Sequence, residues 1–324
     1  MGSLQNRPAK GTEVEMYDLI IIGGGPAGLT AAIYVLRKRL NFLLLTKDLG
    51  GKTNFHLALP WIQDYQVIRG LELVNKFRSE LEYLDFARHM EPVEKVKNSA
   101  DGFDVVTKGG AELSARALII ATGARQVRMD VPGEKEFTMK GLCYSALSYA
   151  PLCIDKETIV IGDGELAIRS AAELSTVSRI VHLICKETKG LSTPLGVKLQ
   201  QATNVVIHKG STVVEVKGDQ YARSLVIKNP DGKGSEITAD AIFVEQALTP
   251  MSDMVKDLVT LDSSGRIVVD NGNRTNVPGI FAAGDVTNLF AEQVLIAIGE
   301  GAKAALSAYE YLLPTLELST KVAS

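Results

Sequence analysis

Residues 17–37 read Tyr17-Asp-Leu-Ile-Ile-Ile-Gly-Gly-Gly-Pro-Ala-Gly-Leu-Thr-Ala-Ala-Ile-Tyr-Val-Leu-Arg37. The apolar run Leu19–Ile22 has the length and continuity of a strand buried on both faces. Gly23, Gly25 and Gly28 follow in G-x-G-x-x-G spacing, and the stretch from Pro26 to about Arg39 is predicted to be helical. A second apolar run, Phe42–Leu45, completes a β-α-β unit of about 30 residues. In such a turn the first glycine permits the tight bend, the second lets the backbone approach a pyrophosphate, and the third lets helix and strand pack closely. The helix start offers N–H groups and partial positive charge to phosphates. Gly23, Gly25, Pro26, Ala27 and Gly28 are therefore read as a dinucleotide cradle. The acidic residue expected about 20 positions on, which would accept hydrogen bonds from a ribose, falls on Thr46, whose hydroxyl does that work more weakly.

About 140 residues later the pattern recurs in Thr158-Ile-Val-Ile-Gly-Asp-Gly-Glu-Leu-Ala167. Here Thr158–Ile161 is the strand, Gly162, Gly164 and Ala167 give the G-x-G-x-x-A variant, and Glu165 opens a helix reaching about Ser175. The next strand, Arg179–Ile184, leads to Cys185-Lys186-Glu187. Glu187 suits a ribose diol, and a lone Lys186 is a poor site for a 2′-phosphate, which calls for clustered arginines. One G-x-G-x-x-G is a weak signal; two in strand–helix context are a strong one. Alternating segments at 103–107, 115–120, 205–208 and 224–227 read as further strands bounded by turns such as Asn229-Pro-Asp-Gly. Residues 293 to about 312 read as a C-terminal helix.

The remaining composition narrows the function. The 324 residues carry 35 Lys+Arg against 38 Asp+Glu, a net charge of −3, so no basic surplus is available for gripping nucleic acid. At 46% hydrophobic and 23% charged the chain is of ordinary globular composition, with length for roughly two domains. No apolar run approaches the roughly 18–20 residues of a transmembrane segment, and residues 1–16 read as a polar tail without a secretory signal. Three cysteines exclude a disulfide scaffold and point to a reducing, cytoplasmic setting. His56, His89, His182 and His208 show no metal spacing, so no metal is expected.

The segment Val277–Leu313 reads V-P-G-I-F-A-A-G-D-V-T-N-L-F-A-E-Q-V-L-I-A-I-G-E-G-A-K-A-A-L-S-A-Y-E-Y-L-L. With the first glycine turn and Ala121-Thr122-Gly123-Ala124, it closely resembles the low-molecular-weight thioredoxin reductases, from about Tyr17 to Leu313. The resemblance implies an α/β fold of two Rossmann-like, three-layer ββα domains that bind FAD and NAD(P). A discontinuous FAD domain would comprise residues 17–125 and 248–324, with a second nucleotide domain at 126–247. By that likeness Gly51, Ala121, Thr122, Gly123 and Gly284 line the FAD and Asp285 holds its ribitol hydroxyls. The backbone around Gln293 and Val294 would face the flavin's pyrimidine edge, where a helix N-terminus suits the charge on reduced N1. A homodimer and a thiol or electron-carrier partner are implied in the same way.

The sequence departs from the family where the family keeps its redox chemistry. The two C-x-x-C-D cysteine positions fall on Ser145 and Ser148, and the acid falls on Tyr149. A serine pair cannot form a disulfide. The NADPH motif H-R-R-x-x-x-R falls on Cys185-Lys186-Glu187, with Leu191 at the final arginine, and the arginine that precedes Gln293 in the family is Glu292. Lys52 replaces a glutamine and would favour anionic reduced flavin. This combination is similar to the cyanobacterial diflavin-linked disulfide oxidoreductases, in which a second FAD lies beside the first. A second FAD is thus the expected occupant of Gly162–Ala167, with NAD(H) as the alternative.

Cys143 and Cys153 flank the serine positions. If the intervening residues form a tight turn, with Pro151 stopping any longer helix, the two cysteines are close enough for a relocated redox pair. The other reading is that they are buried apolar side chains. Cys185 reads as packing. Trp61 and Tyr65, around Ile62-Gln63-Asp64-Tyr65, suit either flavin lining or core packing. The resulting expectation is a flavoprotein oxidoreductase moving electrons between FAD and thiols. Its alternatives are an NADH- or ferredoxin-linked flavin reductase without a disulfide step and a non-catalytic FAD-binding module.

Overall fold

The computed structural model describes residues 16–65, 70–84 and 87–316. Residues 1–15 of the expected tail and the ring of Tyr65 lie outside the described residues. The chain divides into two compact units, one formed by residues 1–51, 72–123 and 250–324, the other by 52–71 and 124–249.

In the first unit Leu19–Ile22 lies at the centre of a sheet, parallel to Phe42–Leu45 on one side and to Glu112–Ile120 on the other. Ile280–Ala282 adds in parallel to Glu112–Ile120, and an antiparallel meander, Gly102–Thr107 and Val93–Ser99, extends the sheet. Leu19 and Ile21 face a helical core, Ile20 and Ile22 the opposite core, all at 0–2% exposure. Each such side chain contributes about 1.5–3 kcal/mol, which explains why the run is apolar throughout. The helix Pro26–Arg37 packs on Val294–Leu312 through Ala31, Ala32, Ala304, Ala305 and Ala308. Gly301 lies so close to the Ala27 backbone that a Cβ there would overlap it. Small residues thus set the approach of the two helices.

The second unit has a parallel sheet in the order Leu142–Cys143, Ala241–Val244, Glu157–Ile161, Ile180–Cys185, Val205–Lys209. The helix Glu165–Leu174 covers one face through Ala167, Ile168, Ala171 and Leu174. A three-stranded antiparallel sheet, Thr212–Gly218, Ala222–Lys228 and Gly234–Thr238, sends Val216, Leu225 and Ile227 into the other core. This is the three-layer ββα arrangement.

Residues 52–71, expected with the FAD domain, cluster instead with the second unit. Their hairpin, Leu57–Leu59 and Ile62–Tyr65, buries Leu57 and Leu59 beside Cys143, Ala146, Tyr149 and Cys153. Ala58 N–H donates to Met139 O and Gly141 N–H to Ala58 O, both at 2.9 Å. The α-helix Ala146–Tyr149 ends two residues before Pro151, as the proline implies, and a separate 3₁₀ turn, Ala150–Cys153, follows with the proline in its first turn. A first-turn proline lacks only an N–H that has no intrahelical acceptor.

Candidate functional site: two glycine turns

At the first turn Gly23 has φ +114°, and its N–H donates to Leu45 O at 2.8 Å. A Cβ on Gly23 would overlap the Ala121 carbonyl, and one on Gly28 the Gly23 carbonyl. Gly25 differs: its backbone is extended (φ −73°, ψ −177°) and a Cβ there would meet nothing within 4 Å. The first and third glycines are therefore required by the protein's own packing, whereas the second faces space. The helix that follows has no side-chain cap and no acid in its first turn, so its N-terminal partial charge is not offset by its own residues. This is a cradle shaped for an anionic group.

The surrounding loops are fixed by backbone bonds. Gly50 N–H donates to Gly24 O at 2.7 Å, Gly51 N–H to Asp48 Oδ1 at 2.9 Å, and Gly51 (φ +57°) approaches Gly25. Thr46 is buried, and its hydroxyl donates to Asp48 O at 2.7 Å and accepts Asp48 N–H at 3.3 Å, so it is engaged within its own turn both as donor and as acceptor. Thr122 Oγ1 donates to Met251 O at 2.6 Å and Met251 N–H to Gly123 O at 2.9 Å. Gly284 (φ +77°) lies against Ala27, which sets half-buried Asp285 beside the glycine turn. Gln293 is the extended N-cap of Val294–Leu312, and that helix also starts without a side-chain cap or an acid in its first turn. Glu292, just before it, accepts from Arg266 Nη2 at 2.5 Å. These residues fit a dinucleotide whose pyrophosphate lies over Gly25.

The second turn repeats the logic. Gly162 has φ +156° and a Cβ there would overlap the Glu245 carbonyl, while Gly164 is extended with nothing within 4 Å of a Cβ. Ala167 is fully buried against the strand. Glu165 is exposed and pairs with Arg169 at 3.5 Å. Glu187 N–H donates to Asp163 Oδ1 at 2.9 Å, which ties the strand end carrying exposed Lys186 and Glu187 to the glycine turn.

At the positions of the family's redox cysteines the hydroxyls of Ser145 and Ser148 hydrogen-bond each other at 2.8 Å. Below them lies buried Glu245, whose Oε1 accepts from Ala146 N–H at 2.6 Å and Ser170 Oγ at 3.1 Å. Burial pushes the Tyr149 hydroxyl up to about 12, with a smaller contribution from Cys143. Cys143, Cys153 and Cys185 are all free and buried. Burial pushes the Cys143 thiol well up and that of Cys153 up to about 12, with Glu245 adding to the first and Asp240 to the second. Neutral, enclosed thiols are poor nucleophiles, so the flanking pair is neither bonded nor activated in this structure. Cys185 is likewise raised by burial and lies in the apolar cluster. Trp61 takes the packing role: its Nε1 donates to Leu152 O at 3.1 Å and Lys156 Nζ lies 4.5 Å from the ring centroid.

Glu245 and Arg266 were not recognised in the sequence as site residues. An acid directly after the apolar strand Ala241–Val244 is the only signal for the first; Arg266 has none, because its partner is 26 residues away.

Fold and glycine turns together define a protein with two dinucleotide-binding, Rossmann-like units. The chain belongs to the pyridine nucleotide-disulphide oxidoreductase family, whose model matches residues 17–301. It is 34% identical to a subunit of alkyl hydroperoxide reductase in Pseudomonas aeruginosa over 322 residues, 97% of this chain and 62% of that protein. Against the corresponding protein of Staphylococcus aureus it is 32% identical over 303 residues, 92% of this chain and 60% of that one. The chain thus spans less than two thirds of the length of these curated relatives. Among solved structures it is similar to thioredoxin reductase from Streptococcus pyogenes, with 32% identity, TM-score 0.82 and coverage of 93% and 100% of the two chains. It is also similar to thioredoxin reductase from Giardia duodenalis, with 30% identity, TM-score 0.80 and coverage of 92% and 99%. Among the described residues no helix is long and apolar enough to cross a membrane.

Proposed function

We propose that the chain passes electrons between FAD and the thiols of a protein partner, without a C-x-x-C disulfide of its own and without NADPH. The observation that carries this reading is the Ser145–Ser148 hydrogen bond at the family's disulfide position, in a chain whose first glycine turn is packed and open in the right places. Bound FAD supplies a two-electron donor and acceptor. Space at Gly25 receives the pyrophosphate, the Pro26–Arg37 N-terminus offsets its charge, Asp285 holds ribitol hydroxyls, and Gln293 and Val294 meet the pyrimidine edge. In the second unit Gly164 receives a second adenine dinucleotide, FAD in preference to NAD(H). The tied strand end with Glu187 leaves no arginine cluster for a 2′-phosphate. Similarity to thioredoxin reductases and to alkyl hydroperoxide reductase supports a partner that works through thiols or peroxide reduction. Cys143 and Cys153 are the chain's own candidate pair, and their burial favours an external thiol.

The test is anaerobic flavin bleaching. A dithiol is expected to bleach the flavin absorbance, and NADPH to leave it unchanged. Rapid bleaching by NADH but not by dithiols would favour the NADH-linked reading without a disulfide step, and no bleaching by thiol, pyridine nucleotide or ferredoxin would favour a non-catalytic FAD module.

A further inference from the structure

Glu292 places a carboxylate two residues before the first turn of Val294–Leu312, where a negative charge opposes charge developing on a bound group. Its partner is not mobile. Arg266 N–H donates to Asp262 Oδ1 at 2.9 Å and Asp262 N–H to Arg266 O at 2.8 Å, which closes a turn around Gly265. The next residue, Ile267, is fully buried; its N–H donates to Val286 O at 2.9 Å and its carbonyl accepts Asn288 N–H at 3.1 Å. The arginine is thereby locked to the segment that carries Asp285 and leads to Gln293. Its guanidinium meets Glu292 at 2.5 Å with only 23% and 25% of the two side chains exposed. A half-buried pair is screened less than a surface pair, so the balance of its charges is felt nearby.

We infer that Arg266 is a positioning residue that neutralises Glu292 at the pyrimidine edge of the flavin and so sets the flavin's reduction equilibrium. The inference rests on the FAD reading of the first unit. Reduction places negative charge on the N1 side of the ring, and charges near N1 tune that equilibrium. Removing the guanidinium leaves the carboxylate facing that charge and favours oxidised flavin. Removing the carboxylate leaves the guanidinium and favours reduced flavin. The two changes act in opposite directions, which loosened packing would not do.

The experiment is dye-coupled equilibrium reduction of the purified flavoenzyme, with FAD content read from its absorbance. Arg266→Gln is expected to shift the equilibrium at least tenfold toward oxidised flavin, about 30 mV for a two-electron couple. Glu292→Gln is expected to shift it by a similar factor the other way, and the double variant to return to within roughly threefold of the parent. Arg266→Lys, which keeps the charge, is expected to stay near the parent. Single variants that both stay within about twofold of the parent, or that both shift in the same direction, overturn the inference. If Arg266→Gln does not fold, the sign of the Glu292→Gln shift decides. A parent protein that binds no FAD overturns the FAD reading itself; a flavin-loaded parent with unresponsive variants overturns this inference alone.

Discussion

Replacing Gly25 with valine separates the demands of the fold from those of the cofactor. The backbone there is extended, and an added Cβ meets nothing within 4 Å, so the side chain enters open space. Its folding cost is the weaker helix start, roughly 1 kcal/mol, offset by about 0.4–1 kcal/mol from the stiffer unfolded chain. The apoprotein is expected to melt within about 2–4 °C of the parent. FAD binding is expected to fall at least a hundredfold, about 2.8 kcal/mol, because the branched side chain fills the pyrophosphate space. Gly28→Ala should behave in the opposite way. Its Cβ is driven into the Gly23 carbonyl, an overpacking cost of about 1–3 kcal/mol or more, so it destabilises even without cofactor. The assay is FAD titration by absorbance alongside thermal melts of apoprotein. A folded Gly25→Val protein that binds FAD as the parent does would refute the assignment of that space.

Three further outcomes follow from the second unit. His182 Nδ1 and His208 Nε2 lie 3.1 Å apart, and both rings are held below the ordinary histidine range by burial, with Glu157 opposing the shift at His182 and the His182 charge adding to it at His208. The unfolded chain therefore takes up protons first, and this contribution to stability should decline as pH falls below about 6.5; denaturant melts of a double glutamine variant should show a flatter profile between about pH 6.5 and 5. Trp61→Ala should speed alkylation of Cys153 by roughly tenfold or more relative to Cys185, because the indole holds the Ala150–Cys153 turn through Leu152 O; peptide mass spectrometry reads it, and equal acceleration of all three cysteines would mean general loosening. Ser145→Cys with Ser148→Cys should form a disulfide in air, seen as loss of two hydrogens by mass, since the native hydroxyls are already 2.8 Å apart. Two persistently free thiols would show that the loop no longer holds disulfide geometry.

What the sequence made legible was local. Leu19–Ile22 is apolar at every position because both faces are buried, and the glycine spacing of each turn is a strand-to-helix signature readable within one β-α-β unit, although the backbones that crowd Gly23 and Gly162, at Ala121 and Glu245, lie far along the chain. The C-terminal helix, read from 293, begins at Val294. Much of what was not legible depends on partners distant in the chain, and some on turn geometry that composition does not reveal. Leu57 and Leu59 read as part of a loop next to Gly51, yet their burial partners are Cys143, Tyr149 and Cys153, so the hairpin belongs to the second unit. Thr46 looked available to a ribose, but its hydroxyl both donates to Asp48 O and accepts Asp48 N–H. Pro151 reads as a helix stop, and the α-helix does end at Tyr149; the 3₁₀ turn that follows, where a first-turn proline costs no hydrogen bond, was not foreseen. The pairing of Arg266 with Glu292, and of Glu245 with Ala146 and Ser170, is set by tertiary closure and leaves no spacing in the chain.

We propose that the two glycine turns, alike in construction, each hold a flavin dinucleotide. Denaturing the purified holoprotein and counting released flavin per chain tests it most directly. The account predicts two FAD per chain, falling to one in a Gly164→Val variant that keeps the first site. One FAD per chain in the parent, unchanged by Gly164→Val, would contradict it.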